Sequence, residues 1–147
     1  MSFARRAGLP DMTNTQQATT VNNIGVAMFT VSDVDAAIAF YTEKLGFELR
    51  ADVKFGENGE NRWVEVAPPG SATRLALNST MGGRFEAGGA SIGVETPDVL
   101  AEWERLSAID GVDAGDKPEP TPGAPLLFMI QDPDGNHLAI VQPDTRG

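Results

Sequence analysis

Histidine occurs once in this chain, at His137. Histidine is the side chain whose ordinary pKa puts its charge change near neutrality, so His137 is the first candidate for a general acid or base. The other reading is a solvated histidine with no catalytic task. Glu65 is the carboxylate that could work with it. Arg74 could instead pair with Glu65 across neighbouring strands, a structural role. Trp63, two residues before Glu65, offers a surface for stacking on a flat ligand or fills space. The chain has no cysteine, which removes disulfides and thiolate metal sites, and a lone histidine removes any multi-histidine site.

The elements that must position these residues come as a repeat. At an offset of about 63, Gly25 answers to Gly88, Val31 to Val94, Asp35 to Asp98 and Leu75-Ala76-Leu77 to Leu138-Ala139-Ile140. In between the offset widens to about 65, with Gly46 answering to Gly111 and Pro68-x-Gly70 to Pro133-x-Gly135. Residues 24–31 read as a buried strand. Ser32 and Asp35 have capping-box spacing before a helix carrying Val34, Ile38, Tyr41 and Leu45, which Gly46 stops. Strands follow at 47–54, 62–66 and 73–78. Met81–Gly88 is a glycine-rich linker, and 89–94 starts the second copy. Thr96 caps and Pro97 opens a helix whose apolar stripe is Val99, Leu100, Trp103 and Leu106, which makes Trp103 a core residue. Asp113–Gly123, with three prolines, reads as an edge strand or a loop. Strands at 126–130 and 137–141 flank the turn Asp132-Pro133-Asp134-Gly135. The fold class is α+β: two βαβββ modules in tandem, residues 24–79 and 88–142, forming a curved mixed sheet around a cavity.

At 147 residues the chain suits one domain, placed at residues 23–143. Residues 1–22 are polar and aperiodic, which predicts a flexible tail; Met12 is a second possible start. The tail lacks the apolar stretch of a signal peptide, so the expected location is cytoplasmic. The net charge of −10 argues against nucleic acid and against anionic membrane surfaces, and is compatible with a cationic ligand.

The strings Val31-Ser32-Asp33, Ala39-Phe40-Tyr41, Leu45-Gly46-Phe47 and Asp132-Pro133-Asp134-Gly135-Asn136 resemble the vicinal-oxygen-chelate superfamily, over roughly residues 24–142. That superfamily includes glyoxalase I, extradiol dioxygenases and the fosfomycin- and bleomycin-resistance proteins. The resemblance implies a shared cavity in which catalytic members hold a divalent metal by side chains from the first and last strands of each module. Here those positions are Val26, Gly89, Ala76 and Ala139, none of which can ligate a metal. The expectation is therefore no metal site and no cofactor.

Strand alternation gives the cavity-facing set as Val26, Met28, Trp63, Glu65, Arg74, Ala76, Asn78, Gly89, Ser91, His137 and Ala139, with Ile24, Thr30, Gly93 and Val141 beside them. Two functions fit. One is a metal-free protein that sequesters a small organic ligand, aromatic or cationic, in the manner of bleomycin-resistance proteins. The other is a lyase, isomerase or dioxygenase of the same superfamily, using His137 and Glu65 as acid and base or a non-standard metal site. A homodimer is expected under either reading. A dimer whose filled cavity serves only as scaffold is a third possibility.

Overall fold

Asp33 and Asp98 start the two helices. The structure, a computed structural model, describes residues 18–143, so most of the expected tail, Met12 included, lies outside the described residues. Asp33 Oδ1 accepts the Ala36 N–H at 3.0 Å, and Asp98 Oδ1 accepts the Ala101 N–H at 3.1 Å. Ser32 and Thr96, the caps expected from sequence, do other work. Ser32 gives its hydroxyl and its N–H to Asp134 in the other module, and Thr96 accepts the Asp98 N–H. A carboxylate is a strong capping acceptor and also suits the positive helix end, so the aspartates take the cap.

The first module runs β1 (Val26–Thr30), α1 (Val34–Ala39), a π turn (Phe40–Lys44), β2 (Glu48–Phe55), β3 (Asn61–Ala67) and β4 (Arg74–Asn78). Its sheet has the order β1-β4-β3-β2, with β1 and β4 parallel. The second module runs β5 (Ser91–Glu95), α2 (Val99–Ser107), β6 (Leu126–Gln131) and β7 (His137–Gln142), in the order β5-β7-β6. It lacks the fourth strand. Asp113–Gly123 is a loop, since prolines 118, 120 and 122 have no N–H to give to a strand partner. The second copy is thus β-α-β-β, and within one chain the sheet is two curved mixed sheets.

Strand pairing corrects one correspondence. Val26 lies beside Arg74 and Met28 beside Ala76; Ser91 lies beside His137 and Gly93 beside Ala139. Ser91, not Gly89, is therefore the counterpart of Val26, an offset of 65 that also relates the capping aspartates. The likeness of Gly25 to Gly88 misleads because Gly88 has a different task. It has φ +86, donates its N–H to Thr30 O, and a Cβ there would collide with the Asp134 carbonyl oxygen.

Alternation holds on both sheets. Val64, Val66, Leu75 and Leu77 pack toward the helices, as do Phe128, Ile130, Leu138 and Ile140, and all eight join one core with Tyr41, Val99 and Leu106. The two modules thus meet through their helix-facing sides. Trp103 is half-buried against this core, and its indole holds the loop by donating to Gly115 O at 3.1 Å. Leu100, expected on the stripe, is exposed. A bulge at Arg50 splits the apolar row of β2: Leu49 lies beside Val66, whereas Ala51 and Val53 lie beside Glu65 and Trp63. No helix among the described residues is long and apolar enough to cross a membrane.

Candidate ligand-binding site

With the helix-facing sides buried, each sheet turns its other face outward. On the first sheet one row across the strands reads Ala51, Glu65, Ala76, Met28, from the paired positions of β2, β3, β4 and β1. Ala76 is fully buried at the floor of this face, and Met28 beside it is 57% exposed. Trp63 and Val53 form a neighbouring pair. Asn78 and Thr30 form another at the end of β4 and β1. On the second sheet the matching rows are Gln131, His137, Ser91 and then Met129, Ala139, Gly93.

Glu65 is the most constrained charged group on this surface. It is 9% exposed, its Oε2 accepts the Trp63 indole N–H at 2.9 Å, and its Oε1 accepts Arg74 Nε–H at 2.8 Å. Each oxygen thus has a donor, which is how a buried carboxylate is tolerated. Both carboxylate oxygens of Glu65 are consequently occupied within the chain. Arg74 spends only its Nε on the pair. Among the described residues its two terminal nitrogens have no hydrogen-bond partner.

His137 stands elsewhere. It lines a depression of about 330 Å³ with Asp113, Met129 and Gln131, on the second sheet. Arg74 lines a cleft of about 750 Å³ between the modules, with Ile24, Phe47, Pro69, Ile92 and Glu95 among its walls. Within one chain, then, His137 and Glu65 lie on different sheets and are not brought together as an acid–base pair. Gly89 precedes β5 and belongs to neither row.

The metal positions implied by the resemblance become Val26, Ser91, Ala76 and Ala139 once the register is corrected. They carry one hydroxyl and no imidazole or carboxylate, so they do not suit a divalent metal. Among the described residues no group of three or more His, Cys, Asp or Glu is placed to hold one.

Sequence reasoning missed several residues. Val53 and Phe55 follow from alternation once the bulge is known, and Leu127 and Met129 from the same rule applied to β6. Phe47 and Pro69 lie in connections outside the strands, where no periodicity marks them.

Residues 23–140 match the Glyoxalase/Bleomycin resistance protein/Dioxygenase superfamily. The chain belongs to that superfamily. Among its relatives is the uncharacterized protein YetH of Bacillus subtilis, 34% identical over 118 residues that cover 79% of this chain and 94% of that protein. A member of the glyoxalase superfamily from Sphaerobacter thermophilus has a similar structure, with TM-score 0.75, 30% identity, and coverage of 85% of this chain and 100% of that one. TnmS3, an antibiotic binding protein from Streptomyces sp. CB03234, superimposes with TM-score 0.73 at 34% identity, over 86% of this chain and 100% of its own. The glyoxalase superfamily fixes the fold and leaves the chemistry to the site.

Proposed function

We propose that this protein is a metal-free member of its superfamily that captures a small, flat organic molecule on the face carrying Trp63, Glu65 and Arg74. The observation that carries the reading is the donor set. The positions from which a metal would be held are an isopropyl group, a hydroxymethyl group and two methyls, while the surface around them offers an aromatic ring, an anchored ion pair and apolar side chains. Such a surface, mainly apolar with a few fixed polar groups, suits ligand capture. The antibiotic-binding relative lends support by similarity.

A second copy of the chain completes the cavity in this reading. Met28, Val53, Phe55 and Met129 are 57%, 55%, 47% and 45% exposed, and all lie on the outward faces. Strands β1 and β5 are both sheet edges. Laying one module's outward face against the other module of a partner would cover these side chains and bring a His137 over the Trp63 face.

Elemental analysis of the purified protein, together with calorimetric titration of aromatic compounds, tests the proposal. The expected result is substoichiometric Fe, Mn, Ni and Zn with saturable aromatic binding. Stoichiometric metal that survives dialysis, or the absence of any aromatic ligand, would overturn it.

A further inference from the structure

Arg74 points to the chemistry of the ligand. Resting on the small-molecule reading above, we infer that the site selects neutral, flat molecules bearing a carbonyl oxygen, which the terminal nitrogens of Arg74 bind.

Three observations carry this. First, Arg74 Nε is committed to Glu65 Oε1 at 2.8 Å, which holds the guanidinium from that side and leaves its terminal N–H groups without a partner among the described residues. A guanidinium held by one edge presents the other in a fixed geometry suited to an sp² oxygen. Second, Arg74 is among the residues that line the cleft of about 750 Å³, a size typical of small-molecule sites, with Ile24, Phe47 and Pro69 among the others. A mainly apolar cleft with a directed donor group binds apolar molecules and orients them by an acceptor. Third, the charges around Arg74 argue against an anion. Glu65 neutralises the guanidinium, and Glu95 from the second module is the other charged residue lining the cleft among the described residues. A carboxylate ligand would meet a neutral pair and a like charge, and the whole chain carries −10. A neutral carbonyl meets the same donors without that repulsion.

The guanidinium also explains what the carboxylate is for. With Trp63 donating to its other oxygen, Glu65 is a positioning residue that acts through Arg74.

The test uses the full-length protein and probes of one ring size: 2-acetylnaphthalene, 2-ethylnaphthalene and 2-naphthoate, titrated by calorimetry. The expected result is 2-acetylnaphthalene bound roughly tenfold more tightly than 2-ethylnaphthalene, the effect of one hydrogen bond to a charged donor, and more tightly than 2-naphthoate. In Arg74→Lys, which keeps a cation for Glu65 but loses the fork, the preference for the ketone should shrink to less than about twofold. Equal binding of the ketone and the hydrocarbon by the unmodified protein overturns the inference and leaves the small-molecule reading standing. Tightest binding of 2-naphthoate overturns the preference for neutral ligands. If none of the three binds, the small-molecule reading itself fails and this inference falls with it.

Discussion

The Tyr41 hydroxyl donates a hydrogen bond of 2.9 Å to Asp132 Oδ2, joining the helical segment of the first module to the turn between β6 and β7 of the second. Both residues are buried, and Asp132 also accepts from the Asp134 and Asn136 N–H groups and from Asn136 Nδ2. Asn136 in turn donates to Thr30 O and accepts from Ala90 N. The Asp-Pro-Asp-Gly-Asn string is therefore more than a turn. It is the polar joint between modules, set inside their shared core.

Tyr41→Phe removes one donor from Asp132 and leaves the ring packing intact. The expected cost is about 1–3 kcal/mol, the range for a buried acceptor losing a partner. Urea denaturation checks it. A change within error would show that water replaces the hydroxyl and that the joint is wet.

Tyr41 is also the chain's only tyrosine, which makes its ionisation directly observable. Burial first, then the Asp132 charge and hydrogen bond, push its pKa well above the ordinary value of 10.0. The folded state thus holds the proton longer than the unfolded state. Stability from this group is complete below about pH 10, the ordinary tyrosine value, and declines as pH rises beyond it. Tyrosinate absorbance should appear together with unfolding rather than before it. Ionisation near pH 10 with native circular dichroism would contradict the buried hydroxyl.

How much of this was legible in the sequence depends on the kind of signal. Alternation placed Leu75, Leu77 and Leu138 inside and Trp63, Arg74 and His137 on the opposite face, because a strand's period is fixed by its backbone. That Ser91 rather than Gly89 answers to Val26 was not legible. Identity of residue type at Gly25 and Gly88 pointed to one register, and only the strand pairs reveal the other. Nor could the sequence show that the helix-facing sides are what meet within a chain. That depends on contacts across more than ninety residues, such as Ser32 to Asp134. It is also the reason His137 and Glu65 lie apart.

Restoring part of a metal site should fail. Ala76 lies directly beside Glu65 and is fully buried, so Ala76→Glu sets two carboxylates at paired positions. We expect Ala76→Glu with Val26→His to lose about 1–3 kcal/mol of stability and to retain no divalent metal after dialysis, since the remaining ligands and their supporting groups are missing. Stoichiometric metal in that variant, measured by plasma emission, would mean the site needs fewer ligands than argued.

The exposed apolar side chains give a test of assembly. Phe55→Glu combined with Met129→Glu places charges on both outward faces without touching the core. The unmodified protein should sediment as a dimer, and the double variant should dissociate with an affinity loss of at least about tenfold. A monomeric unmodified protein, or a variant as dimeric as the parent, would remove the second copy from the cavity.

Trp63 and His137 separate capture from catalysis. Trp63 is half-buried on the open face with its indole nitrogen tied to Glu65, so a stacked ligand should change its fluorescence. Trp103 emits from a different setting beside Gly115, and a Trp103→Phe background isolates the signal. Measured by calorimetry, Trp63→Ala should cost about 1–3 kcal/mol of affinity, the effect of an aromatic anchor together with a loosened Glu65. His137→Ala should weaken binding far less, because the imidazole stands on the other sheet and reaches the ligand only from a partner. An enzyme would show the reverse: His137→Ala would abolish turnover of a bound compound while its affinity survived. Affinity unchanged in both variants would take Trp63 and His137 out of the site and leave the cleft between the modules that Arg74 lines.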